Sequence, residues 1–131
     1  KPPAHYFDYK QGGTYSILIE HSSGTVLHHG SAGFVPGALK AAMQGRTAGV
    51  VFLGIALAQD LDPYLREVVD AVGAKRVIPT HWDDFTQSLD EPLTPMPVVV
   101  RLERFFNFMK AKRSDLKVET LKLGQPVVLF Q

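Results

Sequence analysis

Hydrophobic and polar positions change their spacing several times along the chain, and each change marks a predicted element. Residues 14–20 alternate between the two classes, and after a polar turn a second apolar run returns at 25–29, which predicts a β-hairpin. Later apolar positions recur every three or four residues, as on one face of a helix. The predicted strands are 14–20, 25–29, 49–55, 75–80, 116–123 and 126–130, and the predicted helices are 36–44, 62–72 and one that opens at Pro97.

The order of these elements predicts an α/β layered domain, because strands and helices alternate after the hairpin. The run at 49–55 is apolar at nearly every position, which is typical of a strand covered on both faces. Residues 1–11 are rich in proline and aromatic side chains, and we expect them to form an extended arm. We treat residues 1–131 as a single segment without internal repeats or linkers.

Composition narrows the classes of function. The chain has 131 residues and a formal net charge of +1, with acidic and basic residues mixed along it, which argues against a nucleic-acid surface. No apolar run reaches about 18 residues, so we expect a soluble chain without a membrane span. The absence of cysteine excludes disulfides and thiolate zinc sites. Composition does not decide between a cytoplasmic and a periplasmic or secreted location.

Two segments contain more polar and ionisable side chains than a packed core requires, namely 28–34 (HHGSAGF) and 80–85 (THWDDF). Both follow predicted strands, and ligands of α/β proteins bind beyond the carboxyl ends of strands. Both contain histidine, the commonest metal ligand. No HExxH, HxH or CxxC spacing occurs, so residue spacing alone leaves two interpretations open. The histidines are either ligands or structural residues at the ends of strands.

These two segments resemble parts of a known family. The G-S-A-G-F at 30–34 and the V-I-P-T-H-W-D-D-F at 77–85 are similar to the second half of metallo-β-lactamase fold hydrolases, in the lactonase-like and phospholipase-D-like branch. The resemblance runs from about Gly12 to the C-terminus. It implies a four-layer αβ/βα sandwich, of which this chain would be the C-terminal half: a mixed sheet with helices packed on one face.

The resemblance also implies a metal site with one or two Zn²⁺ ions. His81 matches the final histidine ligand of the family, whereas Ser31 stands where the family has a bridging aspartate. Serine is a poor ligand for a divalent cation, and His29, or its neighbour His28, is the residue that we expect to compensate. The family's H-x-H-x-D-H motif belongs to its first half, so the implied partner is the N-terminal half of the same domain.

The remaining roles follow from position beside these residues. We expect Asp83, or alternatively Asp84, to orient His81 and take part in catalysis, because a ligating histidine needs a partner on its second ring nitrogen. Ser31 is expected to hydrogen-bond the attacking water or the substrate. The other predicted members of the substrate pocket are Gly33, Phe34 and Trp82, although a tryptophan beside a site more often packs in the core.

The implied activity is hydrolysis of an ester, lactone, amide or phosphodiester in a small-molecule substrate by zinc-activated water. Two other interpretations stay open. The chain is alternatively a non-catalytic binding or scaffold module that keeps the fold without the metal chemistry, for which the serine at position 31 is the best support. Without the resemblance, the residues predict only an α/β domain with a structural histidine. The sequence does not determine the substrate, the metal or whether copies of the chain associate as a homo-oligomer.

Overall fold

The computed structural model describes residues 13–130, so the predicted arm at residues 1–11 lies outside the described part of the chain. Within that part the elements alternate as the sequence predicts, and the structure confirms an α/β fold. A short 3₁₀ turn, Asp70–Val72, follows the second helix. The strands are β1 (Ser16–His21), β2 (Gly24–His29), β3 (Val50–Gly54), β4 (Arg76–Thr80) and β5 (Lys117–Val118), and the helices are α1 (Ala38–Met43), α2 (Leu61–Val68) and α3 (Leu102–Lys112).

The five strands form one mixed sheet in the order β1-β2-β3-β4-β5. Strands β1 and β2 form the predicted antiparallel hairpin, and each later pair is parallel. Parallel neighbours need a crossover connection, and α1, α2 and α3 provide the three that this order requires. The carboxyl ends of β2, β3 and β4 therefore lie side by side at one edge of the sheet, which we call the carboxyl edge.

The helices pack on one face of the sheet. In α2 the buried residues Leu61, Tyr64, Leu65 and Val68 follow one another at helical spacing and form a continuous apolar stripe. They share one core cluster with alternate residues of the strands, including Leu27, Val51 and Val77, and with Phe105 and Met109 of α3. Burying a side chain of this size contributes about 1.5–3 kcal/mol, so this cluster is the main source of stability in the described chain.

The longest of these helices, α3, has 11 residues. A helix needs about 20 apolar residues to cross the hydrocarbon core of a bilayer. Between residues 13 and 130, no helix has both the length and the apolar character for a membrane crossing.

Three predicted elements differ most from the structure, and the first is the predicted strand 116–123, of which only Lys117–Val118 forms a strand. Helix α3 begins at Leu102 rather than at Pro97, because Val98 adopts a left-handed backbone conformation with φ 65°, which ends any helix that Pro97 could start. The segment 126–130 is not a strand in the structure, although it lies against the sheet. Its first residue, Pro126, has no backbone N–H to donate to a neighbouring strand.

The second face of the sheet, opposite the helices, is only partly covered, and we call it the open face. The C-terminal segment covers its lower part, where Val26, Val50 and Ile78 pack with Leu121, Leu129 and Phe130. Apolar side chains beside this segment stay partly exposed within the described residues: Ile17 and Ile19 of β1 are each 53% exposed, and Phe52 of β3, which packs against the same cluster, is half-buried. Because the two isoleucines lie two residues apart on an edge strand, they form one apolar stripe.

The C-terminal segment is attached to the sheet through Arg76, the first residue of β4. Its guanidinium donates hydrogen bonds to the backbone carbonyls of Val128 (2.8 Å) and Leu129 (2.9 Å) and, through Nε, to the carboxylate of Glu119 (2.6 Å). The Arg76 side chain is only 11% exposed, so these bonds are poorly screened by solvent. One side chain therefore connects β4 to the chain that covers the lower open face.

We predict that Arg76→Ala lowers the free energy of unfolding by about 2 kcal/mol, because it removes charge-assisted hydrogen bonds to otherwise unpaired carbonyls. Urea denaturation measures this change. The matched control is Arg66→Ala, which removes an arginine whose side chain is 67% exposed and lies 3.9 Å from Glu67. That change is expected to lower stability by no more than about 0.5 kcal/mol. Equal losses in the two variants would contradict the role given to Arg76.

Candidate functional site

The two segments singled out in the sequence meet at the carboxyl edge. In the sheet register Leu53 of β3 pairs with His29 of β2 on one side and with Pro79 of β4 on the other. Ser31 and His81 each come two residues after these partners, so they leave the sheet at the same level. Strand β3 lies between them, which places their backbones about 10 Å apart, two strand spacings.

The loop after β2 passes directly against the end of β3. A Cβ atom on Gly54 would lie 2.5 Å from the carbonyl carbon of Gly30 and 2.8 Å from the amide nitrogen of Ser31. These are backbone atoms and cannot rotate away, so only glycine allows this approach. Gly54 therefore lets the loop that carries Ser31 lean over β3, towards the strand that ends at His81.

Tyr64 of α2 fixes the same loop from the helix side. Its hydroxyl lies 2.7 Å from the carbonyl oxygen of Gly54 and 3.0 Å from that of Ser31, so its proton is shared between the loop and β3. Burial raises the pKa of the Tyr64 phenol well above its ordinary value, which keeps it a donor. The ring of Phe34 stacks on Tyr64 with centroids 6.0 Å apart. In the sequence Tyr64 is recognisable only as a core position of α2.

His29 lies on the helix side of the sheet and is buried. Its Nε2 lies 3.0 Å from the carbonyl oxygen of Gly33, which only accepts, so Nε2 is the protonated nitrogen. Its Nδ1 then accepts a hydrogen bond from the Ser16 hydroxyl at 2.7 Å. Burial is the main cause of a lowered pKa at His29, opposed by the hydrogen bond to Gly33 and reinforced by the charge of His28. The side chain is thus a neutral imidazole with both nitrogens engaged.

That His29 binds a metal stays a prediction. Its hydrogen bonds show what would have to change for a metal to bind. A metal at Nδ1 would have to displace the Ser16 hydroxyl. His28, the alternative, points to the open face because neighbouring residues of a strand alternate, and it is half-buried. Its ring lies over Gly30, where a Cβ atom would be 3.0 Å from Nε2.

The residues predicted from the first segment line one groove. His29, Ser31, Gly33 and Phe34 lie along a groove of about 690 Å³ between the hairpin and helices α1 and α2. Apolar side chains form most of its wall, among them Tyr15, Leu39 and Met43, and Arg46 and Glu67 also line it. The structure therefore brings these four predicted residues together, while His81, Trp82 and Asp83 lie outside this groove.

His81 has the most unusual backbone of the predicted residues. It is exposed, and its φ of 54° is in the left-handed region, which non-glycine residues seldom occupy. Directly before it, the Thr80 hydroxyl is buried and has no hydrogen-bond partner in the described part of the chain. Strained backbone and unpaired buried polar atoms are both enriched at functional sites. The end of β4 is therefore the most site-like part of the carboxyl edge.

The three residues after His81 differ in the contacts that their side chains make within the fold. Trp82 is half-buried and packs against the main core, in agreement with the structural role. The Asp84 carboxylate accepts hydrogen bonds from the backbone (3.0 Å) and hydroxyl (2.6 Å) of Thr86, which closes a turn. Asp83 forms an isolated bridge with Pro95, and its half-buried carboxylate has no partner within residues 13–130. Of the two candidates to orient His81, Asp83 is thus the less committed.

We predict that Tyr64→Phe lowers the free energy of unfolding by about 1–3 kcal/mol, because it leaves two carbonyls of the carboxyl edge without their donor. Tyr15→Phe is the control, since Tyr15 is 77% exposed. Thermal unfolding of both variants measures the effect, and hydrogen exchange of residues 30–34 locates it. A Tyr64→Phe protein as stable as the control would show that the hydroxyl does not hold the loop.

We also predict that His29 contributes to the free energy of unfolding and that this contribution is lost in acid. Because the pKa is lowered in the folded state, the unfolded chain binds the proton more readily, so this contribution is complete above about pH 6.5 and is lost as the pH falls towards the folded-state pKa. His29→Gln, which keeps one donor and one acceptor, is expected to reduce this loss. Urea denaturation between pH 7.5 and 5 measures it. His21→Gln, at the exposed hairpin turn, leaves His29 in place as the control.

Comparisons of the chain with protein-family models, with curated proteins and with solved structures find no match. The resemblance of residues 30–34 and 77–85 to metallo-β-lactamase fold hydrolases therefore depends on those residues alone. What the carboxyl edge does has to be inferred from its own geometry and chemistry.

Proposed function

We propose that this chain is the C-terminal half of a metallo-β-lactamase fold domain and that its carboxyl edge forms part of a metal-dependent hydrolytic site. The substrate class is an ester, lactone, amide or phosphodiester of a small molecule. The observation that best supports this proposal is the state of His81: an exposed imidazole, held in a left-handed backbone conformation, at the same level of the sheet as Ser31. The unpartnered Thr80 hydroxyl beside it is a second support.

His81 fits the role of one metal ligand but not of a complete site. A zinc site requires three or four protein ligands, and residues 13–130 contain no group of three His, Cys, Asp or Glu side chains close enough to hold an ion. The other ligands must therefore come from outside the described residues or from a rearrangement around His29. When bound, Zn²⁺ acidifies water so that hydroxide is available near neutral pH.

The chain's own residues have separate tasks in this proposal. His81 binds as a neutral imidazole, and the carboxylate of Asp83, which has no partner within residues 13–130, orients it by accepting a hydrogen bond from its second ring nitrogen. Within residues 13–130 the Ser31 Oγ accepts one long hydrogen bond, of 3.4 Å, from the Gly33 amide, so its hydroxyl would be able to bind the substrate. Gly54 and Tyr64 keep the loop of Ser31 in place without touching the substrate.

The proposed N-terminal half would pack on the open face. Ile17 and Ile19 expose one apolar stripe, and Phe52 lies at the level of Ile17 two strands away, with His28 between them. Sheets pack face to face at about 10 Å, with apolar side chains from both inner faces between them. A second layer on the open face would cover this stripe, and its strands would approach the carboxyl edge from the side opposite the helices.

We predict that His81→Ala in the full-length protein loses bound zinc and lowers hydrolysis of a lactone and a phosphodiester probe by at least about 100-fold, because it removes a ligand. Elemental analysis and initial rates measure the two effects. His21→Ala is the control, since His21 lies at the hairpin turn, at the other end of β1 from the carboxyl edge. If His81→Ala keeps its zinc and its rate, the assignment is wrong.

A non-catalytic binding module is the second candidate, and two observations favour it. Ser31 replaces the aspartate that the family resemblance would place there, and both ring nitrogens of His29 are already used inside the fold. Such a module would bind no zinc in the wild type and would keep the groove between the hairpin and α1. The wild-type arm of the His81 experiment therefore distinguishes the two candidates.

A further inference from the structure

A second cavity lies at the carboxyl edge, on the α3 side. It has a volume of about 320 Å³ and lies between the loop after β3 and the segment that leads into α3. Seven of its ten lining residues are apolar, including Leu57, Val98 and Val99. Its polar side chains are Gln59, Arg101 and Arg104, and none of its lining residues is acidic.

The two arginines differ from every other arginine of the chain. Four of the six arginines form an ion pair with a carboxylate: Arg46, Arg66, Arg76 and Arg113. Arg101 and Arg104 make neither an ion pair nor a side-chain hydrogen bond with any residue between 13 and 130, yet both line this one cavity. Arg101 directly precedes α3, which begins at Leu102, and Arg104 lies in its first turn. Two guanidinium groups without a counter-charge attract an anion.

The backbone around the cavity is strained. Leu57 (φ 60°) and Val98 (φ 65°) both line it and are two of the four non-glycine residues in the described chain with positive φ. Val98 is β-branched and 97% exposed, so its own burial does not stabilise this conformation. The Leu57 amide donates to the Val99 carbonyl at 3.4 Å, which joins the two strained segments. Strain of this kind persists where a ligand site requires it.

The cavity adjoins the end of β4. Ile55, which lines the cavity, donates its amide to the carbonyl of Thr80 at 3.0 Å, one residue before His81. The cavity is therefore next to the strand that ends at His81, although His81 itself does not line it.

We propose that this cavity binds the anionic group, phosphate or carboxylate, of a small molecule whose apolar part lies against Leu57, Val98 and Val99. Arg101 and Arg104 provide up to ten N–H donors in two planar forks, which match the oxygen geometry of both anions. Binding of the anion does not depend on the proposed function. Only the identification of the bound molecule as the substrate rests on it. In that case the hydrolase acts on an anionic ester, amide or lactone whose charged end is held by the arginines.

Binding of phenyl phosphate to the full-length protein tests the proposal. The titration is followed by chemical shifts of backbone amides in a buffer that contains a chelator, so that neither metal nor hydrolysis affects it. We expect a Kd on the order of 1 mM, with shifts concentrated at residues 55–59 and 98–105. The double variant Arg101→Gln/Arg104→Gln is expected to bind at least about ten-fold more weakly, and Arg66→Gln to bind as the wild type does.

Two further probes identify the chemistry. Benzoate binding as tightly as phenyl phosphate would show that the cavity recognises the charge, and weaker binding of benzoate would show a preference for phosphate; benzyl alcohol, which is neutral, is expected not to bind. Equal affinity of the double variant and the wild type, or shifts outside the cavity, would overturn the proposal. Because His81→Ala leaves both arginines in place, it is expected to bind phenyl phosphate normally even where hydrolysis is lost.

Discussion

The parallel pairing of β2, β3 and β4 is the constraint on which the rest of the structure depends. Because the three strands run in the same direction, their carboxyl ends meet at one edge, and their connections must return across a face of the sheet. The crossovers bring the helices to that face and bury Val51 and Val77 beneath them. Every residue for which a function is proposed lies at or beside this edge, which the fold itself creates.

Three features share the carboxyl edge without overlapping. The groove lies on the hairpin side, the strained His81 lies at the end of β4, and the arginine cavity lies on the α3 side. Gly54 and Tyr64 stand between them and keep the loop of Ser31 against β3. In the two proposals, a small molecule would lie along this edge with its anionic end at the arginines and its reacting end towards His81. A second layer packed on the open face would approach this edge from the side opposite the helices.

The sequence predicts most of the elements because their signals are local. Alternation in the hairpin, the apolar run of β3 and the stripe of α2 depend only on neighbouring residues, and all three elements are found. The start of α3 is wrong by five positions because Val98 has a left-handed conformation, next to a backbone hydrogen bond that joins Val99 to Leu57, some forty residues earlier. No local pattern contains that information.

The candidate site is predictable to a similar degree. Both histidine-containing segments do reach one edge, because alternating strands and helices give parallel strands, whose carboxyl ends share an edge. The roles of single residues are less accessible. Tyr64 reads as core in the sequence, and its hydroxyl acquires a function only because α2 packs over Gly54. Arg101 and Arg104, which have no partner in the described part of the chain, stand out only when the partners of the other four arginines are known.

The most direct test of the central claim is anomalous diffraction at the zinc edge from crystals of the full-length protein grown with zinc. The proposal predicts an anomalous peak about 2.0–2.1 Å from a ring nitrogen of His81, at the carboxyl edge of the sheet. A crystal at saturating zinc with no peak there, or with zinc bound only elsewhere, would contradict a metal site built on His81. The groove and the arginine cavity would then belong to a binding module.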